Sequence, residues 1–358
     1  MRHSTVPLVF VLAVTAACGG QSPTSPSAMP AELGASGGPL ASETASPLEV
    51  RSMTGRATNA LTGAGVGGVT IRIADVADIA ADAAGNFSLD SEAADGRYRV
   101  VVSGAGMVER QTSLVFPGQP VTLPLIPISF NARAFEEMAR NFVEPGVLKR
   151  WTEAPALIVE ASLLDRAASI DAAGLPLETL VASAQQQSEA AINEVIAHLT
   201  RALPLLTGGQ FTAFSAVSTQ TTAAGGAVEA LNLGAITVVR YARGAGQCRG
   251  FGQIAPNGEF AVVAGRVGLE VCADALAAPV AAHELGHALG YGHVTASPSV
   301  MAAIVTVDVT EFDRQAAAIA YQRPPGNRAP DVDPEGFTVN QPLPPAAAGP
   351  LFIAPALP

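Results

Sequence analysis

The chain has 358 residues, 49% of them hydrophobic but only 5% aromatic, and its formal net charge is −11. That length allows two ordinary domains and some unstructured chain, with a core built mainly from small and branched side chains. An acidic chain without basic clusters argues against nucleic acid or an anionic membrane surface as partner.

The first segment, MRHSTVPLVFVLAVTAAC, is not part of a fold. Arg2 and the α-amine make a short positive start, and Val6 to Ala17 is an apolar run too short to span a bilayer. Residues 1–17 read as a signal peptide. Ala16 and Ala17 put small residues before Cys18, which resembles a bacterial lipoprotein signal, although Thr15 stands where leucine is more usual. That resemblance implies lipidation of Cys18 and membrane attachment through the lipid alone. An ordinary secretory signal cut near Ala17 is the other reading. Both export the protein, to the bacterial cell envelope or beyond it.

Cys248 and Cys272 remain, and two cysteines in an oxidising compartment are expected to form a disulfide, worth about 3 kcal/mol on the chain-entropy model. Two buried thiols are the alternative. Residues 18–50, rich in Gly, Ser, Pro and Ala, cannot bury enough surface to offset ordering entropy and read as a disordered tether.

Residues 51–127 carry the punctuation of a small β domain. VTIRI (69–73) and YRVVVSG (98–104) are β-branched runs, separated by turn signals at short intervals, which suggests a sandwich. The order of parts resembles a carboxypeptidase-regulatory-like, transthyretin-type module, usually a spacer or adhesive domain. Gly63, Gly65 and Gly68 match G-x-G-x-x-G, but they precede a strand rather than a helix. They read as hairpin glycines and not as a nucleotide site.

Residues 128–323 mix helix and strand. FNARAFEEMARNFV reads as a short helix, and APALIVEASLL (154–164) as a strand. Between Leu177 and Leu203 apolar residues recur at three-to-four spacing, which predicts an amphipathic helix bearing His198 as a surface or core-edge residue. GAITVVRY (234–241) reads as a buried strand. FGQIAPNGEFAVVAGRVGL (251–269) reads as a hairpin about Asn257-Gly258. ALAAPVAAHELGHALG then has no strand period. Pro279 suits a first helical turn and Gly290 a stop. The Pro-rich stretch 324–358 reads as a disordered tail.

Three of the five histidines fall within HELGHALGYGH, residues 283–293. Residues four apart on a helix are separated by about 40° around the axis, so His283 and His287 project from one face. A glycine at 290 can adopt positive φ and turn the chain back, letting His293 approach the same point. Three neutral imidazoles would hold one catalytic Zn2+ and leave a coordination position open. Glu284 lies beside that point without needing to be a ligand. It can take a proton from an attacking water and hand it to a leaving amine, which implies amide-bond hydrolysis.

The long motif is the signature of metzincins, and the chain resembles that clan of zinc metallopeptidases. The resemblance implies an α+β chain. A metzincin-like catalytic domain, a twisted mixed sheet with long helices, would follow the all-β sandwich. It also makes Met301, in Ser299-Val300-Met301, the methionine turn beneath the metal. Thr310-Glu-Phe-Asp313 looks like a helix cap, and the segment after it resembles the C-terminal helix of matrixin-like members. Ala302-Ala303 stands where matrixins commonly carry a proline. No calcium loop or Pro-Arg-Cys-Gly latency switch is evident, and any calcium requirement stays open. A divergent bacterial matrixin-like enzyme is the closer label. The expected function is an exported zinc endopeptidase acting on protein or peptide. Against it stands a surface-binding lipoprotein whose β module does the work and whose metalloprotease fold is vestigial.

Overall fold

A computed structural model of the chain describes residues 49–104, 106–164, 180–228, 231–241, 250–271 and 277–341. The signal peptide, Cys18, nearly all of the tether, and both Cys248 and Cys272 lie outside the described residues. No described helix is long and apolar enough to cross a membrane.

Seven strands come first: β1 (Arg51–Asn59), β2 (Thr70–Ile73), β3 (Ala77–Ala80), β4 (Asn86–Ser91), β5 (Gly96–Ser103), β6 (Arg110–Phe116) and β7 (Val121–Leu125). They form two sheets, β4-β1-β7 and β3-β2-β5-β6. Alternation makes the layers. In β6 every second residue, from Arg110 to Phe116, is buried, so one face of each sheet closes on the other. Ile71, Phe87, Val102, Leu114 and Leu123 lie in their shared core. Gly63, Gly65 and Gly68 lie in the connection between β1 and β2, with a strand and no helix after them.

Helix α1 (Ala132–Ala139), capped by the Asn131 side chain, leads into a larger sheet. Here β8 (Ala156–Leu164), β10 (Val217–Gln220), β11 (Ala235–Tyr241) and β13 (Val262–Glu270) run parallel in the order β10-β8-β11-β13. β12 (Gly250–Pro256) forms one edge, antiparallel to β13, and β9 (Ala182–Gln186) pairs antiparallel with β8. Every residue of β11 is buried, as a central strand covered on both faces requires. Helices α2 (Glu189–Leu206), α3 (Ala277–Leu289) and α4 (Glu311–Tyr321) complete the domain. Leu199 and Leu203 of α2, Leu285 and Leu289 of α3 and Ile319 of α4 share one core with Leu157, Ile236 and Val238 of the sheet.

Three expectations are corrected. The helix expected from Leu177 starts only at Glu189. Residues 182–186 are drawn into the sheet by β8, and Ser188 caps the helix by accepting from Ala191 N. The hairpin at Asn257-Gly258 closes through a longer loop, in which the Asn257 side chain accepts from Glu259 N and Ala261 N. The left-handed residue is Phe260, at φ 64°, not Gly258.

The third correction concerns the tail, which is packed as far as residue 341. Arg323, buried, forks onto Asp331 with two 2.7 Å bonds. Arg110 of β6 donates to Asp333 at 2.9 Å, across 223 residues of sequence. Asn327 donates to both aspartates and accepts from Arg140, just after α1. The segment then runs along β6. Gln111 N donates to Asp331 O at 2.9 Å, Asp333 N to Gln111 O at 2.9 Å and Val339 N to Ser113 O at 2.8 Å. This strap covers the edge of the four-stranded sheet. Its composition reads as disorder because it is rich in Pro, Gly and Asp with few apolar groups, whereas buried ion pairs and backbone bonds hold it, with Val339 packed on the sandwich core.

Candidate metal centre

Helix α3 ends in a Schellman turn. Gly290 N donates to His287 O and Tyr291 N to Gly286 O, each at 3.0 Å. Gly290 adopts φ 108°, and a Cβ there would lie 2.2 Å from Lys149 O. Only glycine meets both demands, and the turn sends the chain back under the helix.

The result is convergence. His287 Nε2 lies 3.0 Å from His283 Nε2 and 3.2 Å from His293 Nε2. His283 Nδ1 is 2.7 Å from Val300 O, and His287 Nδ1 is 2.7 Å from Tyr291 O. A carbonyl can only accept, so each Nδ1 carries the proton and each Nε2 presents a lone pair inward. Burial pushes the His283 pKa down to about 4, and burial together with His283 pushes that of His287 well below its usual value. Burial also lowers that of His293. Neutral imidazoles with lone pairs facing one another repel unless a cation sits between them. Two nitrogens on a tetrahedral zinc lie about 3.3 Å apart, so the donor type and the two separations from His287 fit that ion, with all three ligand atoms within 4.8 Å of one another.

Glu284 is buried beside this cluster, and its Oε2 meets no protein donor among the described residues. Burial raises its pKa well above the ordinary carboxylate range. Strand β12 crosses directly over it. A Cβ on Gly252 would lie 2.2 Å from His287 Cβ, and one on Gly250 2.4 Å from Glu284 Cγ. An orphaned carboxylate oxygen beside three converging imidazoles suits a proton acceptor next to a bound cation.

Below the helix, Met301 is buried with its sulfur against Gly286. Val294 N donates to Met301 O at 2.8 Å. Asp313 fixes this turn: its carboxylate accepts from Val300 N at 2.9 Å and from Ser299 Oγ, while also capping α4 through Thr310. Because Val300 O orients His283, Asp313 reaches the cluster through one backbone group.

His283, Glu284, His287, His293 and Met301 are thus brought together, while Cys18, Cys248 and Cys272 lie outside the described residues. The sequence marked Asp313 only as a helix cap. It did not mark Phe142, whose ring stacks on His287 at 5.0 Å, or Glu137, which binds the backbone after His293. Neither has a local signal, because each lies far from the motif in sequence.

The Matrixin family model matches residues 267–322, the stretch that runs from β13 through the histidine cluster to α4. No curated protein matches the chain. Among solved structures, a DUF3823 family protein from Parabacteroides merdae is 17% identical, with a TM-score of 0.18, over 22% of this chain and 45% of that one. A DUF3823 family protein from Bacteroides ovatus is 18% identical over 22% of this chain and 45% of that one, at TM-score 0.19. The 5-hydroxyisourate hydrolase of Klebsiella pneumoniae is 18% identical over 21% of this chain and 87% of that one, at 0.17.

Proposed function

We propose that the chain is an exported zinc-dependent endopeptidase. One observation carries the reading: the Nε2 atoms of three histidines cluster beside a buried carboxylate whose Oε2 has no donor among the described residues. His283, His287 and His293 hold the ion. Zinc bound there supplies Lewis-acid chemistry, acidifying water toward pKa ~7 and polarising a carbonyl.

Glu284 does the proton work. Placed beside the histidine cluster without being a ligand, it would accept a proton from the attacking water and pass it to the departing amine. Strand β12, at the sheet's edge among the described residues and with its glycines on Glu284 and His287, would offer its outer side to an extended peptide. Backbone pairing there would align the scissile bond with little side-chain selection. Met301 packs an apolar, adaptable side chain under the ligands. Export, lipidation at Cys18 and a Cys248–Cys272 bridge complete the proposal.

The test is Glu284→Gln. The variant is expected to bind zinc as the wild type does while hydrolysis of casein or a peptide library falls about 10²–10⁴-fold. Full turnover in the variant would remove the mechanism. Zinc binding without cleavage by the wild type would favour the binding-lipoprotein reading.

A further inference from the structure

The three histidines are not held alike. His283 and His287 are each locked by a ring Nδ1 bond to a carbonyl, 2.7 Å in both cases. His293 Nδ1 has no such partner among the described residues, so its ring depends on the backbone that carries it. That backbone is gripped from helix α1. Met138 O accepts from Gly292 N at 2.7 Å. Glu137 Oε2 accepts from Thr295 N at 2.7 Å and from Ala296 N at 3.0 Å, and the Thr295 hydroxyl reaches both carboxylate oxygens at 3.1 and 3.0 Å. Asn131, the cap of the same helix, donates to Ala296 O at 3.0 Å.

We infer that Glu137 is a positioning residue for the third metal ligand, a role that rests on reading the histidines as zinc ligands. Three donors converge on a group that can only accept, which is what an ionised carboxylate supplies and a hydroxyl or a protonated acid does not. Hydrogen bonds from the Thr295 backbone accordingly hold its pKa below the usual range. Helix α1 is fixed in turn. Phe135 and Met138 are buried in the metal domain's core, and Arg140 donates to Asn327 of the strap. Glu137 lies outside residues 267–322, so the grip reaches the backbone after His293 from beyond the stretch that carries the motif.

The experiment compares full-length wild type, Glu137→Ala and Glu137→Gln. Zinc affinity is read by competition with a chromophoric chelator, and ligand geometry by the visible absorption of the cobalt-substituted protein. Partners that orient metal ligands typically contribute about 10–100-fold to affinity. Glu137→Ala is expected to lose that much zinc affinity, to shift the cobalt bands, and to lower kcat with KM unchanged. Glu137→Gln keeps an oxygen for the two amides and is expected to restore most of the affinity.

Glu137→Ala with wild-type zinc affinity and cobalt spectrum, and only a lower Tm, would overturn the role. Should Glu137→Ala not fold, Thr295→Val removes the hydroxyl donor alone. A loss of affinity on the order of threefold supports the inference, and no loss overturns it. A wild type that binds zinc but cleaves no peptide ends the endopeptidase reading and leaves the affinity comparison to decide Glu137. A wild type that binds no zinc overturns both.

Discussion

Residues 283–301 and 323–341 are both turn-rich segments that bury polar side chains, yet they are held in opposite ways. In the first, the groups that meet are neighbours in sequence: His283, His287 and His293 converge because one helix turn and one glycine bring them together. In the second, Arg323 finds Asp331 nearby, but Arg110 comes from β6 and Arg140 from the end of α1, 223 and 187 residues from their partners. A site made from local spacing can be read from a string of residues. A strap made from long-range ion pairs cannot, although both are packed.

The comparison is broken most forcefully in the strap. Asp331→Ala removes the carboxylate partner of Arg323, which is buried, and takes one of two carboxylate acceptors from Asn327. Leaving one charge of a buried pair uncompensated costs about 3–5 kcal/mol, so the urea midpoint should fall sharply with the m-value unchanged. A loss under about 1 kcal/mol, the range of a surface pair, would mean that composition had described the tail correctly and that the contacts hold little.

A smaller effect on stability, but a local one, is expected from Gly290→Ala. The φ of 108° costs a side-chain-bearing residue about 1–3 kcal/mol, and the added Cβ meets Lys149 O, a backbone atom that cannot swing aside. The turn should open and carry His293 away. Zinc affinity measured on the folded variant should therefore drop together with the Tm. A stable variant with wild-type zinc affinity would show that the return of the chain does not depend on that glycine.

Much of the fold was legible for the same reason the motif was. Alternating or continuous β-branched runs gave the strands at 70–73, 96–103 and 235–241, and Thr310 and Gly290 marked helix ends through bonds within a few residues. What failed was decided elsewhere in the chain. Leu180 and Ala184 have helical spacing, but β8 offers backbone partners that draw residues 182–186 into a strand. Asn257-Gly258 has hairpin chemistry, yet the Asn257 side chain builds a wider loop. Around the site, Glu137, Phe142 and the second role of Asp313 escaped because each acts on residues that only folding brings near.

Asp313 gives the finest version of the same contrast, because local and distant bonds share one carboxylate. Locally it closes a capping box: the Thr310 hydroxyl accepts from Asp313 N at 3.3 Å, and Asp313 Oδ2 accepts from Thr310 N at 2.7 Å. At longer range it holds Ser299 and Val300, and through Val300 O the ring of His283. Thr310→Ala removes the cap's hydroxyl, with its 3.2 Å bond to Pro298 O, and leaves Thr310 N and the bonds of Asp313 to Ser299 and Val300 in place. The expected loss is about 1 kcal/mol of stability, with zinc affinity and the cobalt spectrum unchanged. If zinc affinity instead falls with the cap, the start of α4 and the methionine turn move as one unit. Asp313 then orients His283 only while the helix beneath it is intact, and the candidate site extends in sequence well beyond its last histidine.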